Sequence, residues 1–227
     1  MLHVMDNIPV TVTPESVLEK LKVYDEEDIN CVTKLFEKAV KIARPKAIFR
    51  EAFIEDISGE SVKINDITFT SKVLAATLKD VHRVFAYVCT CGREVDDWSK
   101  LETDYVVSLW LDIIKEMILH EATKYFMEQL IEIYQMEQYS TINPGSGDKE
   151  NWGISQQVKL FKLIDGVESE IGVTLTDSFL MLPIKSVSGL LFPSEGQFSN
   201  CALCTRENCI GRKVPFDSEK HAAIFNR

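Results

Sequence analysis

The sequence is short of positive charge. Lys and Arg number 25 against 35 Asp and Glu, and the formal net charge is −10. Nucleic-acid affinity rests largely on basic side chains that neutralise phosphates, so the chain is not expected to bind nucleic acid. A long uninterrupted apolar run is also missing. The most apolar region, 105–134, is broken by Asp112, Lys115, Glu116, His120, Glu121, Lys124 and Glu128, more charge than a bilayer span tolerates. No basic stretch followed by an apolar run opens the chain, so no signal peptide is read there. The expected location is the cytoplasm, away from membranes. Histidine is scarce, with four in 227 residues. His120-Glu121 is followed by Lys124 where a zinc-protease helix requires its second His. There is no Gly-x-Ser-x-Gly nucleophile elbow, no phosphate loop closed by Lys-Ser or Lys-Thr, and no Gly-x-Gly-x-x-Gly fingerprint. No base–nucleophile pair is legible, so the chain is not expected to be a complete enzyme by itself.

What is present describes a folded domain. Hydrophobic residues make up 45% and charged residues 26%, an ordinary globular balance, and the length suffices for a substantial core. Ile8–Val12 reads as a first strand. Thr13-Pro14 opens a helix, because Thr caps well and Pro suits the first helical position. Ile29, Val32, Leu35, Phe36, Ala39 and Val40 repeat at helical spacing within a helix over 25–43. Strands follow at 47–57, 62–65 and 67–70, then a short helix over 71–78. Arg83–Thr90 is an apolar, β-favouring run read as a buried strand. A helix near 93–99 precedes a long one over about 102–138, apolar on more than half its circumference and so expected to lie across a sheet. A short helix over 155–163 and strands at 174–176 and 178–192 complete the set, the last strand broken into a bend by Ser188-Gly189 or residues nearby. Strands that follow one another directly favour an α+β fold with a central, largely antiparallel twisted sheet flanked by helices. Residues 1–80 read as a helical and strand segment of the same domain, 81–195 as its core and 196–227 as a cysteine-containing tail.

Six cysteines are the unusual count, and three of them, Cys201, Cys204 and Cys209, lie within nine residues. Clustered thiols in a reducing compartment are more often metal ligands or redox groups than structural disulfides. The spacing leaves zinc, an iron–sulfur cluster, reversible thiol redox and idle thiols open, since it matches neither common zinc fingers nor ferredoxin runs. Cys89 and Cys91, at the end of the buried strand, are further candidates if the tail folds back. A pair spaced in this way shares one face of an extended strand, but two space-filling thiols are the plainer reading. The segment 139–153 is the least regular. Within it, Asn143-Pro144-Gly145-Ser146-Gly147-Asp148 can turn tightly and bring backbone N–H groups against a ligand, although such a run is more often a simple turn.

Two stretches carry a family resemblance. Met181-Leu-Pro183-Ile-Lys-Ser186-Val187-Ser188-Gly189-Leu-Leu-Phe192 resembles the M-x-P-x-x-S-V-S-G strand of the activation domain of cobalamin-dependent methionine synthase. Pro144-Gly145 stands where that family has R-x-x-P-G-Y, its S-adenosylmethionine loop, and Gln156-Gln157 opens the helix that follows. The segment Cys89-Thr90-Cys91-Gly92-Arg93-Glu94-Val95-Asp96 and the three-Cys tail are similar to the family's short stand-alone members. The resemblance implies a C-shaped α+β fold and an accessory role in reductive reactivation of a corrinoid protein or cobalamin-dependent methyltransferase, which itself holds the corrinoid. It implies a cleft formed by residues 143–148 with Ser186, Ser188 and Gly189. Thr141 replaces the family's Arg and Ser146 its Tyr, so a carboxylate-gripping guanidinium and an aromatic contact are lost. That departure argues against tight S-adenosylmethionine binding. The alternatives are a non-catalytic binding or sensor module clamped by zinc and an iron–sulfur electron-transfer protein.

Overall fold

The computed structural model describes residues 1–147, 151–196 and 198–225. In chain order the elements are β1 (Leu2–Met5), α1 (Pro14–Leu21), α2 (Glu26–Ile42), β2 (Lys46–Ser58), β3 (Ser61–Ile64), β4 (Ile67–Thr70), α3 (Lys72–Thr77), β5 (Arg83–Thr90), α4 (Arg93–Ser99) and α5 (Tyr105–Tyr134). Then come β6 (Tyr139–Ile142), α6 (Gln157–Ile164), α7 (Val167–Ile171), β7 (Thr174–Leu175), β8 (Met181–Leu182), β9 (Ser186–Pro193) and α8 (Ser218–Phe225). Single 3-10 turns stand at Ile154–Gln156 and Asn200–Leu203. The main sheet runs β4-β3-β2-β5-β9-β6, with β1 paired to the first half of β2, and β7-β8 form a separate small ribbon. Each of these pairings is antiparallel, and the fold is α+β. Strands of residues 1–80 and of 81–195 lie in the same sheet.

Alternation along the strands builds two cores. One face of the sheet carries Phe49, Phe85, Tyr87, Cys89 and Leu191, which pack under Ala122, Phe126 and Leu130 of α5. The opposite face carries Ile48, Val84, Ala86, Val88, Leu190 and Phe192, covered by α3, α6, α7 and Trp152. β5 is therefore buried on both faces, which accounts for its unbroken apolar sequence. α5 is apolar all round for a similar reason. Its second half lies on the sheet, while Leu111, Ile114 and Ile118 in its first half pack against α1, α2 and α4. Asp104 caps it by accepting from the amides of Val106 and Val107. Thr13 and Ser16 form the capping box that starts α1.

The structure corrects three expectations about elements. The first strand is Leu2–Met5, not Ile8–Val12. His3 stacks on Phe49 with ring centroids 4.7 Å apart, while Ile8 is buried beneath α5 and Val10 and Val12 pack towards the helical cluster. The irregular segment begins with a strand, β6, whose pairing to β9 its polar sequence does not advertise. The break expected near Ser188-Gly189 falls instead at 183–185, where Pro183 has no N–H to give a ladder. Gly189 sits inside β9 for a different reason. A Cβ there would lie 2.5 Å from Asn143 Nδ2 and 2.7 Å from Ile142 O, so only glycine admits β6 and its following loop this close.

Candidate functional site

The loop after β6 is held against β9 by one side chain. Asn143 Nδ2 donates to Ser188 O at 2.7 Å and to Tyr87 Oη at 3.0 Å. Burial pushes the Tyr87 phenol above its ordinary range, against a smaller opposite effect of the Asn143 bond. The expected cleft between the loop and Ser186–Gly189 is thus closed, because Asn143 fills it. Ser188 and Gly189 are buried, and the Ser186 hydroxyl donates to Pro183 O at 2.7 Å, with Thr90 Oγ1 at 2.9 Å. Pro144 is buried. Gly145 and Gly147 adopt left-handed φ values of 75° and 85°. The Gly145 amide donates to Trp152 O at 2.7 Å and that of Ser146 to Asn143 O at 3.2 Å, so both amides are used within the loop. Asp148 lies outside the described residues.

An open cavity of about 990 Å³ lies next to this loop, at the free edge of β6. Tyr139 and Thr141 come from β6, Phe192 and Ser194 from the end of β9, and the tail supplies the outer wall through Phe198, Leu203, Val214 and Ile224. Lys213, Asp217 and Lys220 place both signs of charge on its rim. The Ser140 hydroxyl ties the tail to the edge strand: its oxygen is 2.8 Å from Ser194 Oγ and accepts the Phe198 amide at 2.8 Å. This volume is at the upper end of the range of small-molecule sites. Sequence reasoning missed it because residues spread from Ala76 to Ile224 build it, and the tail's wall residues have no motif. A polar cluster beside the loop was also illegible. Asn151, Trp152 and Asn200 are buried, with Asn151 Nδ2 and Oδ1, Trp152 Nε1 and Asn200 Oδ1 unpartnered among the described residues, and Trp152 stands edge-on to Phe69.

The cysteines separate into two places. Cys89 lies in the core under α5, and Cys91, one residue past the end of β5, lies in the helical cluster. They therefore do not share a strand face. Burial pushes both thiols up to about 12. Cys89 pairs with Val187 near the start of β9, whereas the tail meets the sheet near Phe192 and Ser194. At about 3.3 Å per strand residue these points are roughly 20 Å apart, so Cys89 and Cys91 do not join the tail cysteines. In the tail, Cys201 is half-buried, Cys204 buried and Cys209 exposed. Among the described residues no three of His, Cys, Asp and Glu stand close enough together to hold a metal ion. The Lys213 amide donates to Cys201 Sγ at 3.5 Å, and this bond is the main cause that holds the Cys201 thiol below its ordinary range, against partial burial. Arg212 binds the carbonyl oxygens of Cys201 at 3.0 Å and of Cys204 at 3.2 Å, and that of Arg206.

The segment 89–96 carries an ion cluster that its motif did not announce. Asp96 is buried and meets Lys115 Nζ at 3.0 Å and Lys100 Nζ at 2.8 Å. Burial raises its pKa, but the two ammonium groups outweigh that and the net shift is downward.

An antiparallel sheet with helices on both faces and a cavity at one edge defines this chain as an α+β protein. It shares this fold with the solved structure described as "Crystal Structure of the MetH Reactivation Domain bound to AdoHcy", at TM-score 0.59 and 15% identity, over 88% of this chain and 81% of that one. The family described as "Vitamin B12 dependent methionine synthase, activation domain" matches residues 94–210. That is just over half of the sequence, and the chain belongs to this family. No curated protein matches the sequence. No helix among the described residues is long and apolar enough to cross a membrane.

Proposed function

We propose that this chain is an accessory protein for reductive reactivation of a cobalamin-dependent methyltransferase, and that the edge cavity receives an S-adenosyl compound. Membership of the activation-domain family supports the association with a cobalamin protein. The observation that carries the ligand reading is the placement of the cavity. Thr141, at the position of the family's Arg, lies on its wall, and the segment just after β9 closes over it. When bound, S-adenosylmethionine supplies a methyl group to the reduced cobalt of the partner.

The residues present fit such a ligand by another route than the family's guanidinium. Lys213 and Lys220 on the rim can meet a carboxylate, Asp217 an ammonium group, and Tyr139, Phe192 and Phe198 offer an apolar wall to the remainder. Asn143, Pro144, Gly145, Ser146 and Gly147 act by fixing β6 and the loop, as do Ser186, Ser188 and Gly189 in β9. The Gly145 and Ser146 amides, the Asn143 side-chain amide and the Ser186 hydroxyl are engaged within the protein, so these residues position the wall and leave the contacts to β6, the end of β9 and the tail.

Calorimetric titration of the full chain with S-adenosylhomocysteine and S-adenosylmethionine tests the ligand. One site is expected, with Lys213→Ala/Lys220→Ala weakening it about tenfold, or about 1.4 kcal/mol. No heat at millimolar ligand with the folded protein would overturn the ligand reading. Co-elution with a cobalamin-binding methyltransferase in its Co(II) state tests the partner. Separate elution at high micromolar concentration would overturn that.

A further inference from the structure

The tail cysteines are unused by the cobalamin reading, and their geometry has a chemistry of its own. We propose that Cys201 and Cys204 form a redox-active dithiol that exchanges with low-molecular-weight disulfides of the glutathione class. Cys201 lies in the 3-10 segment Asn200–Leu203 and Cys204 caps its C-terminal end, its amide donating to Cys201 O at 3.3 Å. In a 3-10 turn, side chains at i and i+3 eclipse and the Cα atoms are about 6 Å apart. A disulfide needs a Cα separation of roughly 4.4–6.8 Å, so the pair closes without refolding the turn.

The two thiols differ in the way that exchange requires. Cys201 is half-buried and takes the Lys213 N–H at 3.5 Å, while Cys204 is buried. A backbone donor aimed at sulfur favours the thiolate, the nucleophilic form. Arg212 grips both carbonyl oxygens and fixes the turn. Cys209 is exposed and lies outside the turn; its carbonyl accepts the Arg212 amide at 3.2 Å.

The steps balance as ordinary thiol–disulfide exchange. The Cys201 thiolate attacks one sulfur of the small disulfide, forming a mixed disulfide and releasing one thiolate. Cys204, as thiolate, then attacks Cys201 Sγ, the mixed disulfide breaks, and a second thiolate leaves. The two protons lost by the cysteines end on the two released thiols, so the protein is oxidised by two electrons and one small disulfide is reduced. Closing the bond turns Cys201 Sγ away from the Lys213 amide. Lys213, Val214 and Pro215 line the edge cavity, so the oxidised turn loosens that wall.

The test uses the full reduced chain in glutathione buffers of increasing disulfide fraction, quenched with acid, alkylated and mapped by peptide mass. One internal disulfide joining Cys201 to Cys204 is expected. Cys204→Ser should instead accumulate a glutathione adduct on Cys201, Cys201→Ser should form neither species, and Cys209→Ser should behave as the parent. Hydrogen exchange at the Lys213 amide should rise several-fold on oxidation. A disulfide that includes Cys209, or a stable Cys201 adduct in the parent chain, would overturn the pairing. Unchanged exchange at Lys213 would overturn the link to the cavity wall. Neither readout involves cobalamin or an S-adenosyl ligand, so the outcome stands apart from that reading.

Discussion

Replacing Gly189 by Ala tests how the site is built. The added methyl would stand 2.5 Å from Asn143 Nδ2, 2.7 Å from Ile142 O and 3.1 Å from Tyr87 Oη. The first is the end of a side chain and can move, but the second is the backbone of β6, so the edge strand must shift. Overpacking of this kind costs about 1–3 kcal/mol. Expelling Asn143 also breaks its bonds to Ser188 O and Tyr87 Oη and leaves a buried phenol unsatisfied, worth about a further 1–3 kcal/mol. The sum is a loss of about 2–6 kcal/mol in urea unfolding, with no change expected at Gly196→Ala, where nothing lies within 4 Å of the new methyl. The decisive comparison is the cycle with Asn143→Ala. Removing that side chain creates room for the methyl, so the double variant should lose less than the sum of the single ones by about 1 kcal/mol or more. Strict additivity, or a Gly189→Ala loss below about 0.5 kcal/mol, would refute the account of β6 and its loop.

Three further outcomes follow from the same geometry. Asp96→Ala should cost about 3 kcal/mol by leaving Lys115 buried without its carboxylate, and Lys115→Met in that background should restore much of it. Because the folded-state pKa of Asp96 is lowered, its contribution is fully present above the unfolded value near 3.9 and is lost as pH falls through the folded value; the stability gap between parent and Asp96→Asn should hold from pH 5 to 8 and shrink below about pH 4. In native protein at about pH 8, alkylation should label Cys201 and Cys209 and spare Cys89 and Cys91, whose thiols are raised to about 12; rapid labelling of Cys89 before global unfolding would contradict its burial. Arg212→Ala removes the grip on three carbonyl oxygens of the tail and should speed proteolytic cleavage within 204–213 while leaving the urea midpoint of the sheet nearly unchanged.

Much of the fold was legible because the sheet's strands and α5 speak through periodicity. β5 reads as a strand from its β-favouring run, and α5 reads as a buried helix because both of its halves have partners. Elements whose pairing decides their form were harder to see. Leu2–Met5 is too short and too mixed to stand out, and it becomes a strand only because β2 offers an edge. Tyr-Ser-Thr-Ile at 139–142 is polar enough to look like a loop until β9 pairs with it and Ser140 is drawn under the tail. The motif around Gly189 pointed to the right strand but to a different duty: close packing against Asn143 in place of an open cleft. Cys89 and Cys91, for which space-filling is the plainer reading of the sequence, lie in the core under α5 and in the helical cluster. The cavity was invisible because β6, the end of β9 and the tail meet only in three dimensions, and because Lys213 and Lys220 carry no local pattern.

The central claim is that this chain assists a cobalamin enzyme through the cavity at the β6 edge. The most direct measurement mixes the full chain with a cobalamin-binding methyltransferase in its Co(II) state, a one-electron reductant and S-adenosylmethionine, and follows the Co(II) and methylcobalamin absorbance. The account predicts that methylcobalamin forms several-fold faster with the chain than without it, and that Lys213→Ala/Lys220→Ala removes most of that gain. Equal rates with and without the chain, at concentrations where the two proteins co-elute, would contradict it.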